Sequence, residues 1–399
     1  MYGYHLKHRY KFRYQPYVIK RVKKQKSRQP IVLIYGTRIP FPHQTEAINF
    51  LSEKYSICCP GTILNIKMGL GKTFIVLRFF MDMLNKHNHL RLLFVTKHDI
   101  VDHIKNELNM EINGYFRRSV LVKSYREINY YDTCDILVMD ESHSVYNRKK
   151  VTETLALIPR RFSILLTGSA GSNREVKNQW KKLVDINDTY STEIVFSLDD
   201  KLVENVVKSA NEYNILLELT SSQQAYYQQK IETFKQCQQG IMKLNTMKKI
   251  RSKLSSWKID YVTNVLKDAM NNCLKIVVFS EFASVLLQLR LALPEKGVVA
   301  CDGTVQFKTR QKQLIDFREK DTNFILITST NLFSHGVDLG FCHGLVHMEP
   351  PWQGYTQKQT NARIERIGQV SAQKILFVLF NNTLETKLLS MNQQVVLQI

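Results

Sequence analysis

The strongest constraint on this chain is an alternation that occurs twice: short continuous apolar runs separated by longer stretches with helical periodicity. A run of four to six apolar residues has no polar face. It must therefore be covered on both sides, as a strand is inside a parallel sheet flanked by helices. In the first half such runs lie at 61–66, 91–96, 119–123, 135–139 and 162–166, and in the second at 275–280, 296–301, 324–328, 344–347 and 375–379. Intervals such as 74–84 and 283–293 carry the periodicity of helices that pack on a sheet. An α/β protein of two lobes is expected. Residues 189–270 differ, being rich in Lys, Gln, Asn and Ser and without Pro. There 223–247 reads as one long helix and 215–219 as a strand. The lobe boundary falls near 201–209, giving a basic arm at 1–30, a first lobe at 31–205 and a second at 206–399 that includes a helical segment at about 220–270.

Composition narrows the partners. The 399 residues hold 56 Lys and Arg against 35 Asp and Glu, a formal +21. A surface this basic attracts polyanions, nucleic acid before acidic lipid. Residues 1–30 concentrate the charge, with ten Lys or Arg, no acid, and Tyr2, Tyr4, Tyr10, Phe12, Tyr14 and Tyr17 among them. No stretch reaches the roughly 18 apolar residues of a membrane helix, and no apolar run follows the basic N-terminus, so a soluble chain without a signal peptide is expected. Seven cysteines, an odd number with no C-x-x-C pair, argue against a disulfide framework and a four-cysteine zinc site, and for a reducing compartment.

The strand-like run at 62–66 leads into Lys67-Met68-Gly69-Leu70-Gly71-Lys72-Thr73 and then an apolar-periodic helix. A glycine turn between strand and helix lets backbone N–H groups face an anion at the positive end of the helix dipole. Lys72 supplies charge to terminal phosphates, and Thr73 offers a hydroxyl to Mg²⁺. The first glycine of the usual phosphate-loop pattern is absent, since Ile66 stands there. Downstream, Ile136-Leu137-Val138-Met139 ends in Asp140-Glu141-Ser142-His143, so two carboxylates leave the C-terminal edge of a buried strand, where parallel sheets bind ligands. Asp140 is expected to hold Mg²⁺ through water, and Glu141 to polarise the attacking water.

The series resembles the DExH-type helicases of superfamily two, and within them the Swi/Snf family of double-stranded DNA translocases. The resemblance is carried by Met68 to Thr73 (motif I), Asp140 to His143 (motif II), Leu165-Leu166-Thr167-Gly168-Ser169-Ala170 (motif III), Val278-Phe279-Ser280-Glu281-Phe282 (motif IV), the segment 329–339 (motif V), and Trp352 followed by Gln359, Arg363 and Arg366-Ile367-Gly368-Gln369 (motif VI). It spans about 40–380. It implies two tandem RecA-like lobes with a helical insertion between motifs III and IV, and an ATPase that uses ATP and Mg²⁺. By the same resemblance, Gln44 reads adenine, residues 68–73 with Gly336 and Asp338 contact the nucleotide, and Arg363 and Arg366 reach across from the second lobe. Spaced three apart, these two arginines would share one face of a helix.

Motif matching also places Thr96, Lys97, Ser169, Ser280 and Thr330 on the nucleic-acid backbone, though for each a capping or turn role is an equal reading. Asp338 replaces an asparagine common in the family and is closer to general superfamily-two helicases. Three functions follow: a motor on double-stranded DNA, a strand-separating DNA or RNA helicase, or a basic binding subunit with a vestigial ATPase, which the intact Lys72, Asp140, Glu141, Arg363 and Arg366 argue against. Compact viral members of the family suggest work beside transcription or replication machinery, in a nucleus or at a viral replication site. The arm at 1–30 has three readings: counterion-release contacts with stacking tyrosines on single strands, a nuclear-import signal at 20–26, or packing on the first lobe. His335, Cys342, His343 and His347 crowd together but match no closed zinc pattern.

Overall fold

The computed structural model describes residues 38–87, 89–111, 116–145, 148–168, 183–184, 194–198, 207, 209–237, 240–301, 305–330, 338–366 and 373–397. The arm at 1–30, Ser169, His335 and Gly336 lie outside them.

The first sheet is built from β1 (Gly61–Asn65), β2 (Leu92–Thr96), β3 (Val120–Ser124), β4 (Ile136–Met139), β5 (Phe162–Thr167) and β6 (Val195–Ser197), in the order β3-β2-β4-β5-β1-β6. Every neighbouring pair is parallel. The helices between them are α1 (Pro42–Ser56), α2 (Lys72–Lys86), α3 (Val101–Glu111) and α4 (Lys149–Leu157). β2, β4 and β5 are buried along their whole length, which is why the sequence shows them as unbroken apolar runs. Gly61 is required by packing, since a Cβ there would come within 2.8 Å of both the Ser163 carbonyl and Val184.

The second sheet comprises β7 (Asn211–Leu217), β8 (Ile276–Ser280), β9 (Val298–Cys301), β10 (Ile325–Ser329), β11 (Gly344–His347) and β12 (Lys374–Phe380), ordered β7-β12-β11-β8-β10-β9 and again parallel throughout. Its helices are α5 (Ser221–Gln236), α6 (Gly240–Ser256), α7 (Ile259–Asn271), α8 (Ala283–Ala292), α9 (Phe307–Glu319), α10 (Gly354–Asn361) and α11 (Leu384–Leu397). Separate apolar cores cover its two faces, one around Val278, Leu289 and Ile327 and the other around Phe279, Phe317 and Phe377.

Three expectations change. The single long helix at 223–247 is two helices: α5 ends at Gln236 and α6 starts afresh at Gly240, a residue that carries little helix preference of its own. The strand placed at 215–219 lies earlier, at Asn211–Leu217, where Leu217 hands over to the α5 N-cap: Thr220 accepts the Gln223 N–H at 3.3 Å while the Gln223 side chain accepts the Thr220 N–H at 2.9 Å. The arginine-bearing segment is not helical. α10 closes at Asn361 with Ala362 as its cap, and 362–366 runs on as turns.

Parallel order gives each sheet one edge where all strands end. At that edge of the first sheet stand the loop after β1, Thr96, Tyr125, Asp140 and Gly168. At the opposite, strand-starting edge of the second sheet stand Asp338 before β11 and Arg363 and Arg366 before β12.

Candidate active site

A cavity of about 530 Å³ is lined from the first sheet by Met68, Gly69, Gly71, Lys72, Thr73, Asp140 and Glu141, and from the second by Asp338, Arg363 and Arg366. The loop at its floor needs its glycines. Gly69 and Gly71 hold φ of 84° and 79°, where a side chain is strained. A Cβ on Gly69 would lie 2.8 Å from the Glu365 carbonyl, and one on Gly71 would lie 2.5 Å from Gln44 Nε2. The phosphate loop thus packs directly against the arginine loop.

The acids are held from beneath. Asp140 Oδ2 accepts from the Thr96 hydroxyl at 2.9 Å, and the Asp140 carbonyl accepts from the Tyr125 phenol at 2.6 Å. Glu141 follows at φ 50°, a left-handed backbone that non-glycine residues adopt at a cost of about 1–3 kcal/mol. That bend lets two consecutive residues both line the cavity instead of alternating across it. Burial, then the charge of Glu141, push the Asp140 carboxyl up to about 6, against the pull of Lys72. Burial lowers Lys72 despite the neighbouring acids, and its Nζ donates to the Ile66 carbonyl at 3.0 Å. Burial and repulsion from Arg366 bring Arg363 down to about 9. Burial also lowers Arg366, with Asp338 and Glu107 opposing.

The structure therefore gathers Lys72, Thr73, Asp140, Glu141, Asp338, Arg363 and Arg366 with Met68, Gly69 and Gly71, and the buried Gln44 also lines the cavity. Gln44 already accepts the Phe41 N–H at 3.0 Å and donates to the Leu70 carbonyl at 3.2 Å. The Leu70 side chain is buried in the core and does not line the cavity. Three of the nucleic-acid candidates are buried. Thr96 is fully buried and bonded to Asp140, and Ser280 is buried with its hydroxyl 2.9 Å from the Glu349 carboxylate. Thr330 is buried as well. Lys97 is half-buried at the end of β2.

Sequence reasoning missed a second wall. Arg38 lies over the Phe74 ring at 5.4 Å and pairs with Glu107, 2.8 Å away, and with Glu111. His103 and Glu107 from α3 line the cavity beside them. The i,i+4 spacing of Glu107 and Glu111 was a visible signal, but nothing in the sequence tied them to Arg38. Two of the crowded histidines have other occupations. His347 is stacked between Phe279 and Phe377 and bonds Asn361 Oδ1 at 2.9 Å, while His343 Nδ1 accepts the Lys275 N–H at 3.0 Å. Among the described residues no group of three or more His, Cys, Asp or Glu is placed to hold a metal, all seven cysteines are unpaired, and no helix is long and apolar enough to cross a membrane.

Comparison with known proteins agrees with this arrangement. Residues 38–167 match the family model described as type III restriction enzyme, res subunit, and 257–368 match the helicase conserved C-terminal domain. DNA repair protein RAD5 of Kluyveromyces lactis is 32% identical over 128 residues, covering 30% of this chain and 12% of that protein. An uncharacterized ATP-dependent helicase of Mycoplasma genitalium is 19% identical over 348 residues, covering 75% of this chain and 33% of its own. A SWI/SNF-related regulator of chromatin from Xenopus tropicalis, of the subfamily containing DEAD/H box 1, is 25% identical over 143 residues, covering 35% and 14%. The two family matches fall one in each lobe, and the chain is similar to helicases named for SWI/SNF and for DNA repair. It spans a third or less of the length of these relatives.

Proposed function

We propose that this chain is a Swi/Snf-type motor that hydrolyses ATP in the cavity and uses the cycle to move along double-stranded DNA. The observation that carries the reading is the meeting of Lys72, Asp140 and Glu141 from one sheet with Arg363 and Arg366 from the other in a single cavity. Neither half has both the acids and the arginines.

The residues present suit a magnesium-bound triphosphate. The left-handed glycines give the loop no side chains, so that its backbone packs closely against Glu365 and Gln44, and Lys72 is a half-buried ammonium resting on a neutral carbonyl. Thr73 and Asp140 are hard oxygen donors of the kind Mg²⁺ takes, and would hold it. When bound, the ion would neutralise charge on the phosphate oxygens. Glu141 would orient the attacking water and accept its proton. Arg363 and Arg366 would stabilise the charge that a loose phosphoryl-transfer transition state spreads over the equatorial oxygens, a contribution of about 10³ to 10⁵ in rate for an arginine so placed. Because the arginines stand on the other sheet, nucleotide binding draws the sheets together and hydrolysis releases them.

The +21 charge supports a polyanionic track, and a relative named for DNA repair supports DNA over RNA. Lys72→Ala or Glu141→Gln should abolish DNA-stimulated ATP hydrolysis while DNA binding is retained. Wild-type turnover indifferent to nucleic acid would refute the motor. Displacement of a triplex strand without unwinding of a tailed duplex would separate translocation from strand separation.

A further inference from the structure

The edge of the first sheet carries a closed ring of hydrogen bonds that the phosphoryl-transfer step does not itself use. It joins the ends of three adjacent strands, β3, β2 and β4. The Tyr125 N–H donates to the Thr96 carbonyl at 2.9 Å, and the Asp140 N–H donates to the Val95 carbonyl at 2.9 Å. From the same two residues the Thr96 hydroxyl donates to the Asp140 carboxylate and the Tyr125 phenol to the Asp140 carbonyl. Tyr125 is 3% exposed and Thr96 fully buried, so water does not compete for these bonds.

The carbonyl gripped by Tyr125 belongs to the peptide that joins Asp140 to Glu141, and Glu141 is the residue in the left-handed region. A strained backbone persists only where its surroundings over-determine it. Here the 2.6 Å bond from Tyr125 fixes the plane of the peptide on which the strain depends. The outward neighbours of the clamp are cationic: Lys97 follows Thr96, and the exposed Arg126 follows Tyr125.

We infer that Tyr125 is a positioning residue: its phenol locks the Asp140–Glu141 peptide so that Glu141 faces the attacking water, and with Thr96 it ties that peptide to the strand-end loops carrying Lys97 and Arg126. A phosphate backbone engaged by those two cations would then be felt at the acids through β2 and β3. This rests on the ATPase reading, and goes beyond it by naming the part that connects the track to the chemistry.

The test compares Tyr125→Phe, Thr96→Ser and Thr96→Val with the wild type for ATP turnover, with and without duplex DNA. Removing one phenol from a shape-preserving ring should lower DNA-stimulated kcat by about tenfold, the worth of one buried hydrogen bond. The KM for ATP should stay near wild type while kcat falls, a split that a merely structural role would not produce. Thr96→Ser keeps the hydroxyl and should retain turnover, whereas Thr96→Val should lose it. Equal DNA-stimulated kcat in wild type and Tyr125→Phe overturns the inference and leaves the ATPase reading standing; a wild type with no hydrolysis overturns both. Should Tyr125→Phe fail to fold, the serine and valine variants decide: equal turnover of the two rejects the clamp.

Discussion

At the scale of single residues, the site is a set of charges kept in an environment that resists them. Asp140 shows the consequence. Its carboxyl is raised from an ordinary 3.8 to about 6, first by burial and then by Glu141. The folded chain therefore holds a proton that the unfolded chain gives up between these values, and stability falls as pH rises through that window. Asparagine cannot ionise. Without nucleotide or Mg²⁺, Asp140→Asn should be more stable than wild type at pH 7.5 by about 1–3 kcal/mol, and should lose that advantage near pH 4. Denaturant titrations at the two pH values check it; an identical difference at both would contradict the assignment of the strain to this carboxylate. The meeting of Lys72, Asp140 and Glu141 in one cavity was legible because each sits at a fixed offset from a buried strand. The strand-end bonds of Thr96 and Tyr125 were not, since a bond from one strand end to the next depends on sheet order, which sequence does not print.

At the scale of elements, what could be read was what burial imposes on composition. Strands covered on both faces, such as β4 and β5, are uninterrupted apolar runs. β7 escaped its true limits because it is an edge strand, exposed along most of its length and free to carry Asn211, Glu212 and Asn214. The two-helix nature of 221–256 was hidden for a related reason: no residue of α5 is fully buried, and its half-buried stripe of Tyr227, Ile231 and Phe234 does not mark where one helix stops. The second sheet also hides a polar seam. Lys258, fully buried at the start of α7, donates to the Met348 and Val378 carbonyls and pairs with the equally buried Glu385 of α11 at 2.6 Å. This pair joins α7 and α11 to the ends of β11 and β12. Lys258→Met should cost about 3–5 kcal/mol, because it strands a buried carboxylate. Adding Glu385→Gln should recover much of the loss. Equal stability of the single and double variants would show that the pair is not coupled, and urea denaturation of all three reads it directly.

At the scale of the whole molecule, the division of labour between the two sheets explains why a basic chain needs more than its charge. Chemistry requires the strand-ending edge of one sheet to meet the strand-starting edge of the other, and the approach of Gly69 to the Glu365 carbonyl shows how little room separates them. The track has no such geometric demand: phosphate contacts position a protein without reading sequence, and each releases counterions. Affinity for the track can therefore be spread over the chain. Residues 1–30 carry ten of the 56 basic residues and no acid, so the remaining 369 residues still hold a formal +11. Removing the arm should weaken duplex binding and flatten the dependence of log affinity on log salt by about 0.9 for every phosphate the arm neutralises, while basal ATP turnover without DNA stays unchanged. Binding isotherms between low and moderate salt measure the slope. A slope identical with and without the arm would assign the track to the two lobes alone, and a fall in basal turnover would mean the arm supports the first lobe instead of the track.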